Sequence, residues 1–576
     1  MANFWKVASV VFLALFSVGA IAQEQTTGSS TGSSEAAPPA TGSAEVSVSP
    51  SPATAPTSFN QVIETVVQRE RFFVAQMRHF HPLVETYVQN LKGKEEKAVP
   101  VSDEYFLGRL QIEHGADDRL FKDQPGFRQA FAAKLTGLFG LKLLPLGFAQ
   151  MVLLDNDFKA QNYDFGFVRR EFLGEVRCLV IDVQPKEKSE SGRFIGRIWV
   201  EDQGYNIVRF NGTYTSRPHQ VPYLHFDSWR LNLRPGVWLP TYIYSEESRG
   251  ETRGGRELHF KAQTRLWGYD IRRLRGNQEF TQIVVDTPQG VKDQSSVGQD
   301  ISPVQGQRQW ERQAEDNALD RLQNIGLLAA PGDVDKVLTT VVNNLMVTNN
   351  IDIQPDVRAR VLLTTPLESF TIGHTIVVSR GLLDVLPDEG SLAMVLAHEL
   401  AHIALGHRLD TDLAFNDRMF FPDENTFERM EFRRSPADEA AADAKAMEML
   451  SKSPYQGKLG SAGLFLKELQ ANAKTLKNLI RPHFGNRLIG GDMTRMSAVL
   501  ANSPNLQAEK VDQIAALPLG ARIKVDAWSD RAELVKTTAP PLLSPREKMP
   551  FEIAPIFPFE KRLTDAESPT ETSSVK

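Results

Sequence analysis

The sequence predicts a multidomain α+β protein in which a helix and an antiparallel β-sheet come first and a mostly helical domain with a small β-sheet follows. A chain of 576 residues is longer than a single domain usually is. Residues 165–286 contain short runs of alternating apolar and polar residues separated by turn sequences, which are typical of an antiparallel meander. From residue 309 onward, helical spacing dominates, and the candidate strands are confined to 357–364 and 370–379.

The first segment, residues 1–22, has the pattern of a cleavable secretory signal. Lys6 precedes an apolar run at 7–21, and the segment ends with small residues at Ala20 and Ala22. We therefore expect an exported, periplasmic protein, with association with the outer membrane as a further expectation. The alternatives are a secreted protein or one that keeps the segment as an anchor.

The cysteine content is consistent with this compartment. Cys178 is the single cysteine, so no intramolecular disulfide can form. Export without disulfides fits a bacterial periplasm, because domains of this size can rely on their hydrophobic cores. Cys178 lies in the apolar run at 176–181, which predicts a small strand residue and not a nucleophile.

Charge and composition limit the partners and divide the chain. Lys and Arg total 65 against 71 Asp and Glu, so no strong positive field points to nucleic acid. Residues 23–57 are mostly Ser, Thr, Ala, Pro, Gly and Glu, which predicts a disordered linker. A second linker at 287–304, rich in Gly, Gln, Ser and Pro, separates a β-rich domain at 58–286 from a domain at 305–536. The Pro-rich tail at 537–576 is expected to be extended or disordered.

The β-rich domain opens with helical spacing over 58–91, which predicts one long amphipathic helix with Phe59 and Tyr87 on the same broad face. An apolar run at 137–154 contains Pro145 and is too broken for a membrane span. We expect this run to be buried, with contact with a membrane surface as the alternative. The candidate strands are 165–172, 176–185, 192–201, 207–215, 223–233, 238–246, 256–267 and 281–286.

The chemistry is concentrated in a predicted helix at 390–406. It contains His398-Glu399-x-x-His402, and residues four apart on a helix project from nearly the same face, so both imidazoles can bind one ion. The other positions are apolar all round, which is typical of a buried helix. Because buried ionisable groups are costly unless paired or coordinated, a bound dication would satisfy them. The alternative is a pair of hydrogen-bonded core histidines.

A third ligand is predicted in the next helix, at 435–450. Ser435 followed by Pro436 is a helix start, and Glu439 and Asp443 lie one turn apart. Glu439 would complete a set of two histidines and one glutamate, which leaves an open position for water as catalytic zinc requires. Asp443 would then orient a ligand imidazole. The alternative is a solvated acidic helix face.

The motif at 398–402, followed by Glu439 and Asp443, resembles the HtpX and CAAX-prenyl-protease family of gluzincin metallopeptidases, including its soluble periplasmic BepA-like branch. Residues 375–384 also resemble the strand and helix that precede the motif in that family. The resemblance covers about residues 319–536, less than half of the chain. It implies a zincin-type metallopeptidase domain for this part of the protein.

The same resemblance implies roles for individual residues. One zinc ion per chain would be held by His398, His402 and Glu439, with Glu399 as the catalytic base. A zinc ion held in this way lowers the pKa of bound water to about 7, and Glu399 is placed to take the proton of that water and pass it to the leaving amine. This chemistry is peptide-bond hydrolysis.

Three further residues are candidates for supporting roles. His407 recurs in the family, but five residues from His402 it points away from the ligand face, so we expect it to support the site and not to bind metal. The family carries a His-Pro pair and an arginine beyond the third ligand. The nearest match here contains Arg522 without the histidine, which makes Arg522 a candidate for stabilising the oxyanion, with His483 as the alternative. Both can instead be surface residues.

The β-rich domain resembles the half-open barrel of the LolA type of lipoprotein carrier. The resemblance rests on element order and on strands such as 196–200 and 207–210. It implies a concave apolar surface that holds a lipoprotein, an acyl chain or a protein segment. The alternative is a packed sheet without a ligand.

These observations predict a zinc metalloendopeptidase that acts on exported or envelope polypeptides, including misfolded or assembling proteins. One rival is a periplasmic chaperone or assembly factor for outer-membrane proteins or lipoproteins, with a latent zinc site. The other is an intramembrane prenyl-protein protease, which would need several long apolar spans.

Overall fold

The computed structural model describes residues 56–93, 98–110, 116–117, 149–154, 158–186, 193–215, 224–251, 257–269, 303–407, 432–490, 493–501, 503–507, 523–535, 553 and 558–564. The predicted signal segment, most of both predicted linkers, the candidate strand at 281–286 and Arg522 lie outside these residues. Within the described ranges, no helix is both long enough and apolar enough to span a bilayer.

The first helix, α1 (Phe59–Met77), begins where the sequence provides a capping box. The Ser58 side chain accepts from the Gln61 backbone N–H, and the Gln61 side chain accepts from the Ser58 backbone N–H. The helix buries an apolar stripe that includes Val66 and Met77. This stripe packs into the core of the β-rich part.

The predicted helix over 58–91 is wrong beyond residue 77. Pro82 has no backbone N–H and disfavours the helical conformation of the residue before it, so the chain leaves the helix. A strand, β1 (Leu83–Lys92), follows and pairs with two neighbours. The apolar residues of this stretch therefore fit a sheet, although their spacing is also compatible with a helix.

Ten strands form one antiparallel sheet in the order β3-β2-β1-β10-β9-β8-β7-β6-β5-β4. The contact between β1 and β10, the third and fourth strands in this order, joins segments that are far apart in sequence. The predicted strands between 165 and 267 are confirmed, whereas β1 and β2 were not predicted as strands. The bounds of the other strands are β2 Val99–Leu110, β3 Ala116–Asp117, β4 Tyr163–Leu173, β5 Val176–Pro185, β6 Phe194–Glu201, β7 Ile207–Tyr214, β8 Phe226–Arg234, β9 Val237–Glu251 and β10 Glu257–Trp267.

Two smaller predictions fall in this part of the chain. Cys178 is fully buried on β5, and burial raises the pKa of its thiol to about 12, as expected of a strand residue without nucleophilic character. Of the apolar run at 137–154, the described residues 149–154 include Met151, Val152 and Leu154, which are buried. The rest of that run lies outside the described residues.

The second part of the chain is mostly helical, and the predicted fold class is confirmed. Its small sheet has the order β11-β13-β12, with β13 parallel to β11 and antiparallel to β12. The predicted strand at 370–379 is two strands, because the chain turns at Gly373, whose φ is 57°. The strands are β11 Arg358–Leu362, β12 Ser369–Ile372, β13 Thr375–Ser379, β14 Ile489–Gly490, β15 Met493–Thr494, β16 Ile523–Val525 and β17 Ala532–Leu534.

The two predicted helices that carry the candidate metal ligands, at 390–406 and 435–450, are close to their predicted positions. The helices of this part are α2 Pro303–Asn324, α3 Asp333–Thr348, α4 Arg380–Val385, α5 Glu389–Ala404, α6 Pro436–Ser451, α7 Leu459–Asn472, α8 Lys477–Ile480 and α9 Ser497–Ala501.

The β-rich part and the helical part pack against each other. The Trp267 indole donates to the Gly326 carbonyl at 2.9 Å, and the Gly268 N–H donates to Asp530 at 3.0 Å. The buried apolar residues of the two parts belong to one continuous cluster. The ten-stranded sheet therefore supports the helical part directly.

Candidate metal centre

The helix α5 carries the predicted metal motif and is buried along most of its length. The Asp388 side chain caps it by accepting from the Ser391 N–H at 2.8 Å. His398, Glu399 and His402 are 2%, 1% and 1% exposed. Three ionisable side chains therefore lie inside the core, where each one needs a partner or a ligand.

The helix α6 brings a fourth buried ionisable group to the same place. Ser435 caps this helix through the Asp438 N–H, and Pro436 occupies its first turn, as the sequence predicts. Glu439 is 1% exposed. Its Oε2 lies 3.4 Å from His398 Nε2, and its Oε1 lies 3.4 Å from His402 Nε2.

These three side chains meet the requirements of a metal site. One donor atom from each of His398, His402 and Glu439 lies within 4.8 Å of the other two, and the two Nε2 atoms are 3.1 Å apart. Glu439 Oε1 is buried and makes no hydrogen bond among the described residues. Two imidazoles and one carboxylate that has an unsatisfied oxygen are a donor set that suits zinc.

The electrostatics of the cluster favour an ionised carboxylate. Burial opposes the charge on Glu439, but the His398 and His402 imidazoles and the Arg495 guanidinium lower the pKa of Glu439 well below its usual range. For His398, burial and Arg495 act in the lowering direction, but Asp443 and Glu439 prevail and raise the pKa of the imidazole. The negative charge that a cation needs is therefore present at neutral pH.

Both motif histidines also have a partner on the second ring nitrogen. Asp443 Oδ1 lies 2.8 Å from His398 Nδ1, and Asp443 Oδ2 accepts from the Met496 N–H at 2.8 Å. His407 Nδ1 lies 2.9 Å from His402 Nδ1. The structure thus places Asp443 and His407 behind the ligands, on the Nδ1 sides of the two rings, where such groups fix ring orientation.

Glu399 is held by two residues for which the sequence carried no recognised motif. Its Oε1 accepts from Ser369 Oγ at 2.7 Å and from Arg495 Nη1 at 2.9 Å. Arg495 also donates through Nε to Glu439 Oε2 at 2.8 Å. Arg495 is 4% exposed, and a buried arginine in the sequence Asp-Met-Thr-Arg-Met has no spacing relation to the metal motif that would have identified it.

Of the two residues considered for the oxyanion, the structure describes only His483, because Arg522 lies outside the described residues. The His483 ring lies 5.3 Å from the ring of Tyr105, and the His483 N–H donates to Glu368. Burial, with the charges of Arg481 and Arg433, lowers the pKa of His483 to about 4, so this ring is neutral at pH 7.

Comparison with known proteins agrees with the metal motif. Residues 334–421 match the family model described as "Peptidase family M48". The match contains the two histidines and Glu399 and ends before Glu439, so the third donor is identified by its position in space. The match supports a metallopeptidase and does not distinguish branches within the family. The comparison with curated proteins found no significant match.

Solved structures resemble the chain only weakly. A LolA superfamily protein from Nitrosomonas europaea is 10% identical, with a TM-score of 0.17, over 37% of this chain and 93% of that chain. A DUF1329 family protein from Desulfovibrio piger is 13% identical, with a TM-score of 0.18, over 38% of this chain and 95% of that chain.

Proposed function

We propose that the protein is a zinc-dependent metalloendopeptidase that hydrolyses peptide bonds of exported or envelope proteins. The observation that supports this most directly is the convergence of His398, His402 and Glu439, in which the buried Glu439 Oε1 makes no hydrogen bond among the described residues. The match of residues 334–421 to peptidase family M48 supports the same class of enzyme.

In this proposal, His398, His402 and Glu439 hold one zinc ion per chain. When it is bound, the ion supplies Lewis acidity that activates water and polarises the scissile carbonyl. Asp443 and His407 hold the two imidazoles in the orientation that directs each Nε2 toward Glu439.

Glu399 is the proposed general base. Ser369 and Arg495 both donate to its Oε1, whereas its Oε2 makes no hydrogen bond among the described residues. Glu399 takes the proton of the attacking water at Oε2 and passes it to the leaving amine. The two donors fix the carboxylate in one orientation, which lowers the entropic cost of reaching the reactive geometry.

The substrate is proposed to be an extended polypeptide. The strand β12 lies at one edge of the small sheet, because it pairs with β13 on one side only in the strand order of this sheet. An edge strand binds an extended backbone through main-chain hydrogen bonds with little dependence on side chains. Ser369 begins β12 and donates to Glu399, and the four residues of β12 are at most 2% exposed, so a peptide can pair with this edge only after the segments that cover it move.

The compartment and the remaining partners are also proposals. The signal pattern at 1–22 supports export to the periplasm, where misfolded or assembling envelope proteins are available as substrates. Contact of the β-rich part with a lipoprotein, an acyl chain or a membrane surface, and association with the outer membrane, rest on the sequence resemblance alone.

The proposal is tested by metal analysis and by cleavage of an unfolded protein such as casein. Wild type should hold about one zinc per chain and cleave casein. Glu399→Gln should keep the zinc and lose cleavage, whereas His398→Ala should lose both. His225→Ala is the matched control, because His225 is exposed and immediately precedes β8 of the ten-stranded sheet.

Two results would contradict the proposal. Wild-type protein without metal after zinc loading and dialysis would exclude a zinc enzyme. Zinc-loaded wild type that cleaves no substrate, with undiminished cellular function in Glu399→Gln, would favour the chaperone or assembly factor.

A further inference from the structure

We propose that Glu85 and Asp103 of the ten-stranded sheet are positioning residues of the peptidase site, because they hold the two segments that fix Ser369 beside Glu399. The inference rests on the proposed function. It assigns to the β-rich part a role in positioning an active-site residue, in addition to any binding role of its own.

Glu85 lies in β1 and is 2% exposed. Its Oε1 accepts from the Thr365 N–H at 2.6 Å, and its Oε2 accepts from Thr365 Oγ at 2.8 Å. The Tyr105 hydroxyl donates to Oε1 as well, at 2.9 Å. Thr365 lies in the segment between β11 and β12. Glu85 of the ten-stranded sheet therefore holds the segment that leads into Ser369.

Asp103 lies in β2 and holds a second segment in the same way. Its Oδ1 accepts from the Asn478 N–H at 2.9 Å, and its Oδ2 accepts from the Leu479 N–H at 2.7 Å. The Asn478 amide donates to the Asp103 carbonyl at 2.6 Å. Asp103 is 4% exposed, so these bonds form away from water, where losing them is costly.

The two segments are tied to each other next to the site. The Leu367 N–H donates to the Leu479 carbonyl at 2.8 Å. Glu368 is fully buried, and its Oε2 accepts from the backbone N–H groups of His483 and Phe484, each at 3.0 Å. Ser369 is the next residue along the chain. The hydrogen bonds of Thr365, Leu367 and Glu368 therefore fix the backbone that leads into Ser369.

Contacts within the ten-stranded sheet do not explain why Glu85 and Asp103 are buried carboxylates, whereas their contacts with the helical part do. A buried carboxylate in a strand costs free energy unless its charge is satisfied. Here the donors include the backbone of Thr365, Asn478 and Leu479, all in the helical part. Hydrogen bonds to a charged acceptor are stronger than those between neutral groups, so they favour one conformation of each segment.

The experiment uses the zinc-loaded full chain with Glu85→Gln and Asp103→Asn. Both variants should keep about one zinc per chain and lose kcat by about ten- to hundredfold, the loss expected when a catalytic group is displaced by about 1 Å. KM should change less than kcat. Asp227→Asn is the matched control, because Asp227 is a buried carboxylate of the same sheet whose partner, Arg209, is also in the sheet.

A double-mutant cycle separates positioning from general stability. Ser369→Ala should lower kcat in the wild-type background and have a much smaller effect in Glu85→Gln, because the contact with Glu399 is already loosened. Additive losses would overturn the proposal. If Glu85→Gln does not fold, Thr365→Val replaces it, since this variant removes the side-chain bond to Oε2 and keeps the backbone bond to Oε1.

A measurement without catalysis distinguishes this inference from the proposed function. Amide hydrogen exchange should accelerate at residues 364–372 in Glu85→Gln and at 477–485 in Asp103→Asn, and at neither segment in Asp227→Asn. Unchanged exchange in both segments would overturn the positioning role even in an active enzyme. If wild type is inactive but the exchange rates change as expected, the proposed function is wrong. The contacts of Glu85 and Asp103 with the two segments would still be supported.

Discussion

The Nη1 atom of Arg495 lies 2.9 Å from Oε1 of Glu399, while Nε of the same guanidinium lies 2.8 Å from Oε2 of Glu439. One buried cation thus joins the proposed base to the proposed third ligand. Since all three groups are at most 4% exposed, these ion pairs are formed in a medium that screens charge poorly. Arg495 therefore fixes how the two carboxylates stand relative to each other.

Replacing Arg495 with Ala should destabilise the metal-free protein more than the zinc-loaded protein. Removing one partner of a buried ion pair costs about 3 to 5 kcal/mol, because the other charge is left without compensation. A bound zinc ion supplies positive charge at the same place, so the loss in the free energy of unfolding should be smaller with zinc. Urea denaturation with and without zinc measures the difference, and Arg487→Ala, on an exposed arginine of the same segment, is the control. Equal destabilisation in both states would contradict this role.

Replacing Asp443 with Asn should weaken zinc binding about 10- to 100-fold, because such residues orient the ligand imidazole through its second nitrogen. Glu448→Gln is the matched control from the same helix, since the Glu448 carboxylate is half-exposed and pairs with Lys445 and Lys452. Competition with a chelator of known affinity measures both variants. Indistinguishable affinities for Asp443→Asn and wild type would argue against a supporting role for Asp443.

Removing zinc should lower the melting temperature of wild type. A ligand that binds only the folded state at 1,000 times its Kd stabilises that state by about 4 kcal/mol. Glu439→Gln should melt at the same temperature with and without zinc, because it lacks the third donor, and His225→Ala should respond as wild type does. Differential scanning calorimetry at fixed protein concentration checks this expectation. A full zinc response in Glu439→Gln would place the ion elsewhere.

Glu368 should make the protein less stable as the pH rises through the weakly acidic range. Burial raises the pKa of Glu368 from 4.5 to about 7, against the opposing effect of backbone N–H bonds from residues 483–485. Between these values the folded state keeps a proton that the unfolded state has released, so the free energy of unfolding falls with rising pH. The full effect is roughly 3 kcal/mol above pH 7 and is absent below the unfolded pKa.

The measurement for Glu368 is a comparison of wild type with Glu368→Gln by urea denaturation between pH 4.5 and 8. The difference in the free energy of unfolding should move in favour of Glu368→Gln as the pH rises. Subtracting one free energy of unfolding from the other cancels the contribution of titrating groups that both proteins share. Parallel pH profiles would show that Glu368 does not titrate in this window.

The sequence was sufficient where function depends on neighbours in the chain. His398 and His402 share a helix face because they are four residues apart, and Ser435 with Pro436 starts the helix that carries Glu439. The strands from 165 to 267 follow from alternation and turn residues, which are also local. The spacing of apolar residues over 58–91 did not distinguish a helix from a strand, because the same residues fit both. Pro82 prevents the helix from continuing.

Only the tertiary structure decided what surrounds the motif. Arg495 reaches Glu399 from 96 residues away, and Glu85 reaches Thr365 from 280 residues away. No short-range pattern encodes such contacts, since they arise when the sheet, α5 and the segments around it pack into one core. The sequence by itself determined which side chains are able to bind a metal. Packing between distant segments determined how those side chains are charged, oriented and held, because a buried charge needs partners and the chain supplies them from wherever it folds back.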